Sequence, residues 1–195
     1  MVGVRVVDIS RVAVQPGPYP APGDRHTVQL SFFDTIHFMF PHLQYLFLFP
    51  NTADASFPAI VGSLKSSLTR TMPFFHPFAG KLAYIPSDAI AVIDCSASAI
   101  SEGITFIEAE SDLDIHCIAK SEVHESFGQL VPKVKLEFPI VVLAVQVTRF
   151  LNGGMALGFS LHHAVADGKE KLQFIEALAS ICRSDSIPSA SILKK

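Results

Sequence analysis

Apolar and polar residues alternate from Val2 to Val14, the period of a half-buried strand. Pro16, Pro18, Pro20 and Pro22 then hold the chain extended through PGPYPAPGD, which reads as a surface connector. Leu30 to Phe33 predicts a short strand ending at Asp34, and the aromatic-rich segment from Thr35 to Phe49, interrupted by Pro41, either lines a cavity or forms core, core being the expectation. From Phe57 to Thr71 the period changes. Ile60, Leu64, Leu68 and Met72 recur at four-residue steps, and Pro58 falls in a first turn, where its missing N–H does no harm; the spacing predicts an amphipathic helix. Pro73 and Pro77 forbid its continuation, and Ala79-Gly80 offers a tight turn.

Ala89 to Cys95 and Gly103 to Ala109 have strand character, and a mixed helical or looped segment carrying His116 and His124 lies between Glu110 and Gln129. Phe138 to Phe150 is rich in β-formers, Asn152-Gly153-Gly154 tolerates positive φ, and Met155 to Leu161 is again apolar. Together these predict a β-hairpin with both strands buried. Beyond Gly168, Leu172, Ile175, Leu178, Ala179 and Cys182 fall at helical spacing, so a last amphipathic helix should end near Arg183.

Composition changes the picture in one respect. Of 195 residues, 49% are apolar and 17% charged, against roughly a quarter charged in an ordinary soluble domain. Disorder is excluded, and one domain with a substantial, Phe-rich core is expected from 16 Phe and no Trp. The mean hydropathy of +0.39 is high for a chain that has to stay dissolved.

The formal charge of −3 is spread along the chain and supplies no basic stripe for a phosphate backbone, so no nucleic-acid partner is expected. Met1 to Arg11 lacks the apolar run of a secretory signal, and Phe138 to Val147 is about half the length needed to cross a bilayer. These features predict a cytoplasmic protein without a membrane partner. Cys95, Cys117 and Cys182 are odd in number and lack CxxC spacing; they read as buried thiols rather than a disulfide framework or zinc knuckle.

The chemistry concentrates in Leu161-His162-His163-Ala164-Val165-Ala166-Asp167-Gly168, where a buried strand delivers two histidines to a turn before a helix. Adjacent side chains on a strand point to opposite faces, so one of the two histidines should be catalytic and not both. A neutral imidazole accepts a proton near neutral pH and returns it later, which suits acyl transfer to a hydroxyl or amine. Asp167 either orients that ring or holds the turn together. A metal site from His162, His163 and Asp167 is disfavoured because the histidines diverge without a further ligand cluster, so no metal is expected. Ser160 lacks a G-x-S-x-G elbow, which disfavours covalent serine chemistry. His26, His37, His42, His76, His116 and His124, each standing alone, read as structural.

His163-Ala164-Val165-Ala166-Asp167-Gly168 resembles the HxxxDG motif of the plant BAHD acyl-CoA-dependent acyltransferases, within the chloramphenicol-acetyltransferase-like fold. Leu30-Ser31-Phe32-Phe33-Asp34 is similar to the family's early L-x-x-x-D segment, and Leu64 to Leu68 with Phe74 to Leu82 resembles its "SL…L…FPLAGxL" helix and turn. The FFD variant is most similar to the branch that acylates anthocyanins, flavonoids and other phenolic glycosides. The resemblance implies an α/β fold, a mixed sheet flanked by helices, forming one domain of a two-domain enzyme. Residues 1–183 would be the N-terminal domain and 184–195 the start of the linker, with the C-terminal domain absent.

The resemblance further implies that His163 is the base that deprotonates the acceptor for attack on an acyl-CoA thioester, malonyl or hydroxycinnamoyl, with acyl-CoA as co-substrate and no bound cofactor. Asp167 would be structural and paired with an arginine, and Gly168 would serve the turn. Relatives of this family are roughly twice as long and carry a D-F-G-W-G motif that is missing here. Their histidine lies in a channel between two domains, so one domain alone is expected to turn over poorly, because near-attack geometry needs both walls. Two rival readings remain at this point: a non-catalytic remnant that binds a partner through the uncovered face, and a condensation-type domain acting on carrier-bound acyl groups. The apolar excess would then be partly interface, and self-association is expected.

Overall fold

The computed structural model describes residues 3–15, 26–51, 56–120 and 127–184. The chain runs through β1 (Val4–Val12), β2 (Thr27–Gln29), α1 (Phe32–Ile36), β3 (Leu43–Phe49), α2 (Phe57–Thr71), β4 (Lys81–Ile85), β5 (Ile90–Asp94), α3 (Ala97–Ser101), β6 (Ile104–Ser111), α4 (Ile115–Lys120), β7 (Ile140–Val141), β8 (Leu143–Phe150), β9 (Met155–Leu161) and α5 (Gly168–Ser184). The strands form two sheets, a five-stranded one in the order β1-β6-β8-β9-β3 and a four-stranded one in the order β2-β5-β4-β7. The larger sheet is mixed, because β6 and β8 run parallel while its other pairs are antiparallel.

The order of burial follows from the sequence. All seven residues of β9 are buried, as are all of β8 except Arg149, and these continuous apolar runs sit toward the middle of the sheet. The hairpin between them closes through Gly153 (φ 101°) and Gly154 (φ 84°). At Gly154 a Cβ would lie 2.7 Å from the Phe49 carbonyl oxygen and 2.9 Å from that of Pro50, so both the backbone angle and the close approach call for glycine there. Alternation along β9 sends Leu157, Phe159 and Leu161 into the main core, and Ala156 joins a smaller cluster with Ile115, Ile118, Leu130 and Phe150.

Helices α2 and α5 pack together over the main core. The predicted stripe of α2 is present: Leu64, Leu68 and Met72 are buried, and Ile60 packs half-buried against them. From α5 come Phe174, Leu178 and Ile181. Phe174 stands edge-on to Phe75, Phe78 and Phe159 at centroid distances of 5.4, 5.2 and 6.2 Å. Burying each such ring is worth roughly 1.5–3 kcal/mol. Pro73 and Pro77 end α2 as expected, and two 3-10 turns follow, Met72–Phe74 and His76–Ala79.

Several expectations are corrected. Leu30–Phe33 is not a strand: Ser31 caps α1 by accepting the Asp34 N–H at 3.2 Å, while the Asp34 carboxylate accepts the Ser31 N–H at 3.1 Å. This reciprocal capping box outweighs the strand propensity of two phenylalanines. The apolar segment from Thr35 to Phe49 is only partly core, since Phe38, Tyr45 and Phe47 pack inward and Ile36, Met39, Phe40 and Phe49 are exposed. Phe138 to Phe150 does not form one strand; β7 pairs with β4 in the smaller sheet before β8 enters the larger one. Gly80 has an extended backbone (φ −75°, ψ −174°), and it is needed instead because a Cβ would meet Ile93 Cγ2 at 2.7 Å and Asp94 O at 2.8 Å. Cys117 is exposed, not buried, whereas Cys95 is buried and all three thiols are free. The proline-rich connector, His124 and residues 185–195 lie outside the described residues.

Candidate active site

One residue past the end of β9, the His162 N–H still donates to the Val142 carbonyl at 2.9 Å, and the Val165 N–H then donates to the His162 carbonyl at 3.2 Å, turning the chain. The His162 side chain is fully buried. Its Nδ1 accepts the Ala164 N–H at 3.2 Å, which assigns the ring proton to Nε2. The ring meets His42 edge-to-face at 5.0 Å and 85°. His42 is held in turn by an Nε2–H bond to the Val141 carbonyl at 2.6 Å. Burial, reinforced by the neighbouring imidazoles His42, His163 and His37 and by Lys171, pushes His162 down to about 4. It is therefore a neutral interior group, hydrogen-bonded through Nδ1 while its buried Nε2 has no partner.

His163 follows on the turn and is half-buried. Its ring lies face to face on His37, with centroids 3.9 Å apart and planes 15° from parallel. Nδ1 is the buried nitrogen and has no hydrogen-bond partner. Burial holds the pKa of His163 below the ordinary histidine value; its own carbonyl and Asp167 pull it up, and Lys171 and His37 push it down. The net effect is a neutral imidazole at pH 7, the state in which a general base operates.

The sequence motif Ser31-x-x-Asp34 explains how His37 gets there. The capping box fixes the single turn of α1, and the His37 N–H closes it on the carbonyls of Asp34 and Thr35. His37 and His42, both expected to be isolated structural residues, are thus brought against His163 and His162. Nothing in the local sequence of either marks it, because the juxtaposition is made by β3 pairing with β9.

Asp167 is exposed at the N-terminus of α5. Its Oδ1 accepts the Glu170 N–H at 2.8 Å, and the Glu170 carboxylate accepts the Asp167 N–H at 3.1 Å, so it is a helix cap that holds the turn. None of the ion pairs among the described residues pairs it with an arginine. Gly168 opens the helix without positive φ, and a Cβ there would meet nothing within 4 Å; the turn does not require glycine. Lys171 is fully buried on the stripe it shares with Phe174, Leu178 and Ile181, and burial lowers its pKa. Three residues ahead of Phe174, it breaks the apolar pattern of α5, a signal the sequence reading passed over. A cleft of about 650 Å³ lined by Val4, Val6, Ile107, Gln129, Lys133 and Gln146 does not include His163.

A two-sheet α/β layer whose central hairpin delivers one buried and one half-exposed neutral imidazole to a capped helix is an architecture suited to acid–base chemistry on a small molecule. The family model described as "Transferase family" matches residues 9–195. The chain is 27% identical over 190 residues to malonyl-coenzyme A:anthocyanin 3-O-glucoside-6''-O-malonyltransferase of Dahlia pinnata, covering 92% of this chain and 40% of the relative. It is 36% identical over 144 residues to a hydroxycinnamoyltransferase of Narcissus pseudonarcissus, 71% of this chain and 31% of that protein. Among solved structures, vinorine synthase superposes with a TM-score of 0.75 at 23% identity, over 98% of this chain and 45% of that one, and shares its fold. The chain belongs to this transferase family, the BAHD acyltransferases with the chloramphenicol-acetyltransferase-like fold. It spans about 40% of the length of the Dahlia relative. Among the described residues no helix is long and apolar enough to cross a membrane.

Proposed function

We propose that this chain carries the general-base half of an acyl transfer from acyl-CoA to the hydroxyl or amine of a small phenolic acceptor in the cytoplasm, with His163 as the base. The observation that carries the reading is the contrast between the two histidines. His162 is sealed, with Nδ1 already occupied by the Ala164 N–H, whereas His163 is half-exposed and neutral. His163 takes the acceptor proton as the acceptor oxygen or nitrogen attacks the thioester carbonyl, the C–S bond breaks, and the proton passes to the leaving CoA thiolate. No acyl-enzyme is required. Asp167 contributes by capping α5 and so fixing the turn that carries the base. The relatives use malonyl-coenzyme A in one case and are named for hydroxycinnamoyl transfer in another, which supports those two donors as the first to try.

Residues 1–183 are proposed to form the N-terminal of two units, with 184–195 leading into the linker, and full turnover needs a second unit to supply the other wall of the site. The test is acceptor-dependent CoA release from malonyl- and coumaroyl-CoA, measured on this chain, on a chain joined to the second unit of a relative, and on His163→Ala in each. Turnover that vanishes in His163→Ala and is much greater in the joined protein supports the reading. Turnover indifferent to His163 rejects the base, and equal turnover by the short chain rejects the need for a second wall. Failure of every version to release CoA would favour a binding role for the exposed face.

A further inference from the structure

His37 covers one face of the His163 ring at a centroid distance of 3.9 Å, close to parallel. The contact is built from a well-tied segment: the Ser31–Asp34 capping box sets α1, the His37 N–H closes it, and the Phe40 ring leans on His37 at 5.5 Å. Neither imidazole is anchored through Nδ1, since both of these nitrogens are buried without a partner. The face-to-face stack is the ring contact that sets the plane of His163, beside the pull of its own carbonyl. We propose that His37 is a positioning residue for His163, holding the plane of the ring by face-to-face stacking and adding to the opposition His163 meets when it takes up a proton.

The inference rests on the reading of His163 as the base. When His163 accepts a proton, an imidazolium lies directly on the face of His37. A neutral His37 tolerates that cation through its π-face, whereas a charged His37 opposes it as a like charge in contact. Among the described residues, Lys171 and Asp167 at the start of α5 also bear on His163, His162 precedes it on the turn with His42 against its ring, and Glu170 acts on Lys171. All of these are unchanged by a substitution at His37, so the pairwise effect can be isolated.

The test is an imidazole NMR titration of the histidine-labelled chain as wild type, His37→Phe and His37→Ala. His37→Phe keeps an aromatic face and removes the imidazole; the His163 midpoint is expected to rise. His37→Ala removes the face as well, and the His163 signals are expected to broaden in addition to moving. A His163 titration that is the same in wild type and His37→Phe overturns the proposal, whether or not His37→Ala folds. The readout needs no turnover: a chain in which CoA release is indifferent to His163 while the coupling persists sinks the base assignment alone.

Discussion

The carboxylate of Asp167 accepts the N–H of Glu170 at 2.8 Å while the Glu170 carboxylate accepts the N–H of Asp167 at 3.1 Å, so the aspartate of the HxxxDG motif is one half of a capping box. Asp167→Ala removes the cap and is expected to destabilise the chain by about 1 kcal/mol, within a range of roughly 0.5–2. Asp167→Asn retains a cap acceptor and is expected to recover most of that loss. Urea unfolding of the three proteins measures both. Equal stability of the alanine variant and the parent would show that the box contributes nothing.

Stability is also expected to depend on His162. Its folded pKa of about 4 lies below the unfolded value near 6.5, so between those limits the unfolded chain binds the extra proton and stability rises with pH. The contribution is fully present above about pH 6.5 and is lost as pH falls toward 4, amounting to roughly 3 kcal/mol across the window. His162→Asn removes the titrating group, so its stability is expected to be lower at pH 7 and flatter below it. Denaturation midpoints at several pH values decide this; parallel curves for the two proteins would refute it.

The hairpin, α2 and α5 were legible in the sequence because each depends on local periodicity and turn chemistry: Leu64, Leu68 and Met72 repeat at helical spacing, and Gly153-Gly154 supplies positive φ. His162 is buried and His163 half-exposed, and both lie past the end of β9, on the turn rather than on the strand. The contacts of His37 and His42 were not legible, because they arise only when β3 pairs with β9 across more than a hundred residues of chain. Leu30–Phe33 misled for the opposite reason. Its aromatic content spoke for a strand, and the Ser31-x-x-Asp34 spacing that makes it a capped helix was visible only as a family resemblance, not for its hydrogen bonds. Gly168 was expected to serve the turn, and the hydrogen bonds that close that turn come from the Val165 N–H and the Asp167 cap.

Three glycines separate the uses of a missing side chain. At Gly158 a Cβ would lie 2.3 Å from the Leu130 carbonyl oxygen and 2.9 Å from Val131 Cα, both backbone atoms that cannot swing away. Gly158→Ala is therefore expected to cost about 3 kcal/mol or more, or to prevent folding. Gly153→Ala has open space but keeps φ at +101°, and a loss of about 1 kcal/mol is expected. Gly62 lies inside α2 with nothing within 4 Å, so Gly62→Ala is expected to stabilise by about 0.5–1 kcal/mol. Thermal or urea unfolding orders the three; a destabilising Gly62→Ala would contradict the packing described for α2.

The segment that carries His37 also exposes a run of large apolar side chains. Phe32 is 79% exposed, Phe33 75% and Met39 71%, with Ile36 and Phe40 beside them, and no residue of α1 is buried. Contiguous apolar surface of this kind marks a contact site, and an isolated chain has its own copies available to cover it. The expected outcome is a weight-average mass in sedimentation that rises with concentration and returns to the single-chain value in a Phe33→Ser, Met39→Ser double variant, in which neither exposed side chain supports the fold. Because His37 stacks on His163, association through this face is also expected to slow diethyl pyrocarbonate modification of His163 at high protein concentration. A concentration-independent mass for the parent chain would refute the association, and with it the protection of the histidine.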